Sequence, residues 1–192
     1  MLTDEQRAKY KIPPFRVITK DPCVEDPEYR DFLRENKWWS RDYIAPGNEP
    51  SEVLTCGVVG IDKFRILHEI LLSIGGYETC FPTYEEDMDK ILERGYFRKG
   101  TSKMMLGRPN KCHANACDLY EGNIKKGEDV KICTGYALSE DGIWRQHSWL
   151  LHTYQNQTQT RTRVIETTAK RVAYFGFDMT TEEAEEFCSN NY

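Results

Sequence analysis

The sequence predicts an α+β fold in which helices come first and a small antiparallel sheet follows. Apolar residues recur at three- and four-residue steps in the first part of the chain, whereas after Asn123 the pattern changes to strand-like runs separated by turns. At 192 residues and 39% hydrophobic content, the chain is long enough and apolar enough to bury one sizeable core. Because helices and strands are segregated along the sequence, we expect α+β architecture.

Residues 1 to 55 are predicted to form an N-terminal extension that packs on the body, and residues 56 to 192 to form the single domain. Prolines punctuate the extension, and one short helix is expected from Asp26 to Asn36. Trp38 and Trp39 are its expected anchors.

Three helices are predicted in the first part of the domain. The first runs from Gly60 to Ser73 and is closed by Gly75 and Gly76, as a helix C-terminus often is. The second runs from Tyr84 to Arg94, opened by Thr83 and stopped by Gly95. The third begins near Cys112, with Asn110 as its expected N-cap.

Three strands and a final helix are predicted in the second part. The strands are Lys131 to Leu138, Ile143 to Tyr154 and Arg161 to Thr168. Thr180 is followed three residues later by Glu183, which is the pattern of a capping box and predicts a short C-terminal helix.

Charge and composition exclude several classes of protein. The net charge is −5 and the basic residues are spread over several segments, so nucleic acid is not an expected partner. The longest apolar runs are far shorter than a bilayer requires, and the first residues have no signal-peptide pattern. We therefore expect a cytoplasmic protein without a membrane contact, with secretion by a signal-less route as the other possibility. Oligomeric state is not readable from the sequence.

The seven cysteines are an odd number, are widely spread and contain no Cys-x-x-Cys pair. Three disulfides and one free thiol would fit a secreted protein, but a reducing compartment with one special cysteine fits more simply.

One predicted strand places a histidine where it can act as a base. Side chains alternate along a strand, so His147 and Trp149 share a face. On the next strand Glu166 lies among apolar and β-branched neighbours, where a lone carboxylate would be costly. If the two strands pair directly, Glu166 accepts from one ring nitrogen of His147 and leaves the other nitrogen free.

Cys112 has the local features of an activated thiol. In the first turn of a helix, unpaired N–H groups and the positive end of the helix dipole stabilise a thiolate and lower its pKa. If Cys112 also faces His147, it becomes a sulfur nucleophile, and its own backbone N–H can donate to an oxyanion. Cys117 lies deeper in the helix and is expected in the core.

A helix-start cysteine, a strand bearing His147-Ser148-Trp149 and a strand ending Ile165-Glu166-Thr167-Thr168 together resemble the papain-like/transglutaminase-like superfamily. The resemblance covers roughly residues 105 to 170. It implies a catalytic domain with Cys112 as the nucleophile, His147 as the base and Glu166 as the residue that orients the base. Here His113 follows the cysteine where the family usually has Trp, and the third member is Glu in place of Asp or Asn.

The chemistry that this implies is attack on an amide carbonyl of a protein or peptide substrate, through a thioester. The enzyme would be a cysteine protease, a deamidase or a transglutaminase, without a cofactor or a metal. Candidates for the lining of the substrate cleft are Asn115, Gln146, Trp144 and Trp149.

Two other classes of function stay open at this point. Cys112, His113, Cys117 and Cys133 offer soft ligands for zinc, although structural zinc usually draws on two close pairs. A catalytically idle protein-interaction module with the same fold is the second alternative. Separately, Glu166 could form a surface ion pair with Arg163, Arg145 or Arg171 in place of its contact with His147.

Overall fold

The computed structural model describes residues 2–19, 58–82, 84–100, 102–156 and 158–191. In chain order the elements are α1 (Asp4–Lys9), α2 (Val58–Ile74), β1 (Glu78–Cys80), α3 (Met88–Arg94), β2 (Tyr96–Lys99), β3 (Ser102–Met104), α4 (Cys112–Ile124), β4 (Asp129–Leu138), β5 (Ile143–Asn156), β6 (Gln159–Glu166), β7 (Ala173–Asp178) and α5 (Thr181–Asn191). The fold is mixed, with helices and strands interleaved, which is compatible with the predicted α+β class.

The described strands form one seven-stranded sheet in the order β2–β7–β4–β5–β6–β3, with β1 added beside β5. The central pairs are antiparallel, whereas β1 runs parallel to β5 and β3 runs parallel to β6. The predicted antiparallel sheet is therefore the centre of a larger, mixed sheet.

One face of the sheet carries the main hydrophobic core. Alternation along β5 points Trp144 and Leu150 to this face, where they join buried residues of α2, α3, α4 and α5 in one cluster. Trp149 points to the other face and joins a second, smaller cluster with Tyr174 and Val164. The helices thus cover one side of the sheet, and β5 supplies large side chains to both sides.

The described residues at the start of the chain, 2–19, contact the rest of the described fold. Thr3 and Gln6 form a capping box that begins α1. The buried Tyr10 donates its hydroxyl to the carbonyl of Leu92 at 3.0 Å, and Val17 bridges to Gly75. The predicted helix from Asp26 to Asn36 and the Trp38 and Trp39 anchors lie outside the described residues.

The four predicted helices that fall on described residues and the three predicted strands are confirmed, with shifted boundaries. Helix α3 begins four residues later than predicted, because Glu85 turns its carboxylate inward to the Tyr136 hydroxyl and to the N–H of Asp87. The capping box at Thr180 and Glu183 is confirmed in both directions, at 2.9 and 3.2 Å.

Two expectations about order and capping are wrong. Helices do not all precede the sheet, since three short strands, β1, β2 and β3, lie between α2 and α4. Asn110 is not the N-cap of α4, because it adopts a left-handed backbone with φ of 55° and Lys111 takes the cap position.

Candidate active site

A gap in the hydrogen bonding along one edge of β5 creates the site. On that edge, β1 pairs with the first residues of β5, up to Arg145, and β6 pairs only from Leu150 onward. Between them, among the described strands, residues 146–149 have a strand partner only on the β4 side. Backbone groups of β5 in this gap are therefore available to something other than a strand, and His147 lies in the middle of it.

Helix α4 brings Cys112 to this gap. After β3, the chain runs alongside the end of β6, where the N–H groups of Met105 and Gly107 donate to the carbonyls of Glu166 and Thr167, both at 2.8 Å. A short loop then turns into α4, whose first residue is Cys112. Because the loop follows β6 to its end, the start of the helix is positioned next to the same part of β5.

Asn115 fixes this loop to the first turn of the helix. Its side-chain oxygen accepts from the N–H of Arg108 at 3.0 Å, and its amide nitrogen donates to the carbonyl of Arg108 at 2.8 Å. A Cβ at Gly107 would lie 2.5 Å from the Asn115 side chain, so this position requires glycine. The clamp holds Cys112 in place relative to the sheet.

The Cys112 thiol is surrounded by hydrogen-bond donors. Burial alone would raise its pKa, but the hydrogen bond and charge of His147 and the backbone N–H groups of Ser148 and His113 outweigh it, so that the net pKa lies below 9.0. The Ser148 N–H is one of the groups left available by the gap in the sheet. The site therefore favours a thiolate at position 112.

His147 links the thiol to the buried carboxylate. Its Nε2 lies 2.9 and 3.0 Å from the two carboxylate oxygens of Glu166, which leaves Nδ1 for Cys112. Burial alone would lower the pKa of His147, but its hydrogen bonds with Cys112 and Glu166 and their negative charges raise it. The imidazole thus lies between a thiol and a carboxylate, where it can accept and donate a proton.

Glu166 is fully buried and its oxygens are saturated with donors. Besides His147, it accepts from the N–H of Thr167, from the N–H and hydroxyl of Thr168, and from the Tyr174 hydroxyl at 2.9 Å. Burial raises the pKa of this carboxyl, but the His147 hydrogen bond and charge, the Thr168 N–H and the Tyr174 hydroxyl bring the pKa down to about 2. The carboxylate is therefore ionised at neutral pH.

Two glycines make room behind the histidine. Gly135 on β4 lies opposite His147, and Gly176 on β7 lies opposite Gly135. A Cβ at Gly176 would lie 2.9 Å from the Trp149 ring, whose centroid is 6.3 Å from that of His147 in a nearly parallel orientation. This row of small residues lets Trp149 lie under the imidazole.

A cleft of about 740 Å³ opens next to Cys112 and His147. Gln146 lines it from the neighbouring position on β5, and its amide is held by the Glu85 carboxylate at 3.0 Å. The rest of the wall comes from the end of β1, the loop before α4, the β4–β5 turn and the loop after β6. The cleft is large enough for several residues of a peptide.

The structure brings Cys112, His147 and Glu166 together. Of the four predicted lining residues, only one lines this cleft. Gln146 lines the cleft, as predicted. Trp144 does not, since it is fully buried on the helix side of the sheet and donates to the carbonyl of Gly75 at 2.9 Å.

Asn115 and Trp149 are also not lining residues. Asn115 is buried, and its side-chain oxygen and nitrogen both form hydrogen bonds with the backbone of Arg108. Trp149 is only 2% exposed and stacks near the ring of His147. These predictions were wrong because sequence proximity to Cys112 and His147 does not say which face a side chain takes.

Several contributors to the site were missed. Tyr174 is fully buried among core residues, and its hydroxyl donates to Glu166. The signal for it was present, because a buried carboxylate needs several donors and a buried tyrosine needs an acceptor. His113, which takes the usual Trp position, binds the Ser148 hydroxyl at 2.7 Å.

Two of the alternative interpretations, an arginine ion pair of Glu166 and a zinc site, find no support in the described part of the chain. Glu166 binds His147, Thr167, Thr168 and Tyr174 and forms no ion pair there with an arginine. The described residues contain no group of three or more His, Cys, Asp or Glu side chains placed to hold a metal ion.

The other described cysteines differ from Cys112 in their electrostatics. Burial raises the pKa of Cys80 to about 12, and burial likewise raises the pKa values of Cys117, Cys133 and Cys188. Cys117 is fully buried in the core, as predicted. Cys112 is the described cysteine whose pKa is lowered.

Comparison of the chain with protein-family models, with curated proteins and with solved structures finds no match. None of the described helices is long and apolar enough to cross a membrane.

Proposed function

We propose that this protein is a thiol-dependent enzyme of the papain-like/transglutaminase-like type, which attacks an amide carbonyl of a protein or peptide. Cys112 is the nucleophile, His147 the general acid and base, and Glu166 the residue that positions and charges the imidazole. The observation that carries this proposal is the buried chain of contacts from the Cys112 thiol through His147 to Glu166.

In the first half of the reaction, the Cys112 thiolate forms a bond to the carbonyl carbon, and the carbonyl oxygen becomes an oxyanion. As the first residue of a helix, Cys112 has a backbone N–H without an intrahelical acceptor, which can donate to that oxygen. The imidazolium of His147 protonates the leaving nitrogen, the C–N bond breaks, and a thioester remains.

In the second half, His147 takes a proton from a second nucleophile, which attacks the thioester and releases Cys112. Water gives proteolysis when the amide is a peptide bond and deamidation when it is a glutamine side chain, whereas an amine gives transamidation. Glu166 stays ionised throughout, which keeps Nε2 protonated and directs Nδ1 to the reacting groups.

Site-resolved labelling with iodoacetamide at pH 7 tests the nucleophile. Thiolates react and thiols do not, so we expect Cys112 to be alkylated about tenfold or more faster than Cys80, Cys117, Cys133 and Cys188. Equal rates at all these cysteines would contradict the proposal. Protection of Cys112 that a chelator removes would favour the zinc alternative.

Incubation of a cell lysate with the protein tests the reaction. We expect new peptide termini, deamidated glutamines or new crosslinks in the mass spectra with the wild type, and none of them with Cys112→Ala. Which of the three products accumulates identifies the second nucleophile. A fully reactive Cys112 that yields none of them would favour the idle interaction module.

A further inference from the structure

We propose that the cleft beside Cys112 binds a carboxylate of the substrate, and that Lys170 and Arg171 recognise it. This inference rests on the proposed function, because it assigns a substrate class to the same cleft.

The charge of the cleft is opposite to that of the protein. Its charged lining residues are Asp141, Arg145, Lys170 and Arg171, so three cations against one anion leave a net charge of +2, in a chain whose net charge is −5. Asp141 binds Arg145 through both carboxylate oxygens, at 2.7 and 3.1 Å. The positive charge that remains belongs to Lys170 and Arg171.

Arg171 is positioned by neutral groups. One of its terminal nitrogens donates to the Ser139 hydroxyl and the other to the Thr168 hydroxyl at 3.4 Å, while its Nε is buried without a hydrogen-bond partner. Within the described part of the chain, no carboxylate forms an ion pair with Arg171 or with Lys170. A guanidinium held by two hydroxyls keeps its full charge and is ready to bind a carboxylate.

The favoured substrates therefore carry a carboxylate close to the attacked amide. This carboxylate can be the side chain of an Asp or Glu residue, or the free C-terminus of a peptide. An amide flanked by basic residues would meet the two cations and would be disfavoured.

Two alkylating reagents of similar size test this without knowledge of the substrate. Iodoacetate carries a carboxylate and iodoacetamide a neutral amide, and both react with a thiolate by the same displacement. The readout is the ratio of their rates at Cys112, measured at low ionic strength, because any loss of thiolate slows both reagents and cancels in the ratio.

We expect Lys170→Gln and Arg171→Gln each to lower the iodoacetate-to-iodoacetamide ratio, and the double variant to lower it by about fivefold or more. Lys126→Gln is the matched control. It makes the same change in net charge as either single variant. It lies just beyond the far end of α4, about 20 Å from Cys112 along the helix direction, and should leave the ratio unchanged.

A ratio that is the same in the wild type and in the double variant, with rapid iodoacetamide labelling in both, would overturn the carboxylate site and leave the proposed enzyme intact. Slow labelling of Cys112 by both reagents in the wild type would contradict both. These two results are distinguishable in the same experiment.

Protection of Cys112 from iodoacetamide by peptides separates the two sources of the carboxylate. Protection by a glutamate-containing peptide with an amidated C-terminus identifies a side chain, whereas protection only by peptides with a free C-terminus identifies the terminal carboxylate. Equal protection by acidic peptides and by their glutamine counterparts with blocked ends would overturn the inference.

Discussion

Replacement of Glu166 by Gln should lower the reactivity of the Cys112 thiol while leaving the thiol in place. The variant keeps the size of the side chain but removes the negative charge next to His147. It places an amide where Nε2, three groups of Thr167 and Thr168 and the Tyr174 hydroxyl all donate. With its charge gone, the imidazolium loses its partner, so that the pKa of His147 falls and the pKa of Cys112 rises.

The size of the expected change in Cys112 reactivity follows from the pKa shift of the Glu166 carboxyl. The pKa of Glu166 falls from 4.5 to about 2 in the folded protein, where its hydrogen bond with His147 and the charge of the ring outweigh burial. One pKa unit corresponds to about 1.4 kcal/mol, so the surroundings favour the ionised carboxylate by about 3 kcal/mol. Since backbone N–H groups supply part of this, we expect the alkylation rate of Cys112 at pH 7 to fall by about tenfold to 100-fold in Glu166→Gln.

The assay is iodoacetamide labelling of Cys112 as a function of pH, with the labelled peptide quantified by mass spectrometry. In the wild type the midpoint of the pH–rate profile should lie below 9.0. Burial alone would raise the pKa of the thiol, but His147 and two backbone N–H groups lower it. In Glu166→Gln the midpoint should move up toward 9.0. Overlapping profiles for the two proteins would refute the role of Glu166.

A second histidine and glutamate pair provides the control. His152 and Glu128 lie 2.9 Å apart, as His147 and Glu166 do, but Glu128 is exposed at the start of β4. Glu128→Gln removes the same charge from the same kind of pair and should leave the midpoint of Cys112 in place.

Three further results are expected. Cys112→Ala should abolish labelling at this position and activity on the lysate, with a melting temperature close to that of the wild type, because the side chain is only half-buried; unfolding of this variant would point to a structural thiol. Gly135→Ala should destabilise the protein by several kcal/mol in urea denaturation, since φ is 150° there and the new Cβ would lie 2.3 Å from the Phe175 carbonyl oxygen; unchanged stability would contradict this packing. The stability contributed by ionised Glu166 is present above pH 4.5 and is lost as the pH falls through about 2. The free energies of unfolding of the wild type and Glu166→Gln should therefore converge between these pH values. A constant difference between them would contradict the lowered pKa of Glu166.

The sequence was sufficient for the long elements and for the three residues at the centre of the site. Strand β5 extends over 14 residues, and its alternation alone places His147 on one face and Trp144 on the other. The contact of His147 with Glu166 was expected from the cost of a buried carboxylate, on the condition that the two strands pair directly, and β5 and β6 do pair.

The short strands could not be predicted, because three or four residues carry no measurable periodicity. β1, β2 and β3 become strands only through pairing with β5, β7 and β6, and each of these partners is distant in sequence. β7 was missed for a different reason: its residues from Ala173 to Phe177 are all buried, so apolar and polar residues do not alternate there.

The cap of α4 and the walls of the cleft depend on tertiary contacts. Asn110 has a good capping side chain, but the turn after Gly107 places it in a left-handed conformation and gives the cap position to Lys111. Lys170 and Arg171 face the cleft only because the chain turns back after β6, and nothing in their local sequence indicates this.

The segment from Glu166 to Arg171 connects the proposed reacting residues with the proposed carboxylate site. Thr168 donates its hydroxyl to Glu166 and accepts from Arg171, so a single side chain contacts both the residue behind the histidine and a cation of the cleft. For the proposed enzyme, we therefore expect substitutions in this segment that alter substrate preference also to disturb turnover. Pro82 also lines the cleft, and the chain around it carries none of the three proposed reacting groups. In the proposed enzyme, selectivity should therefore be easier to change there.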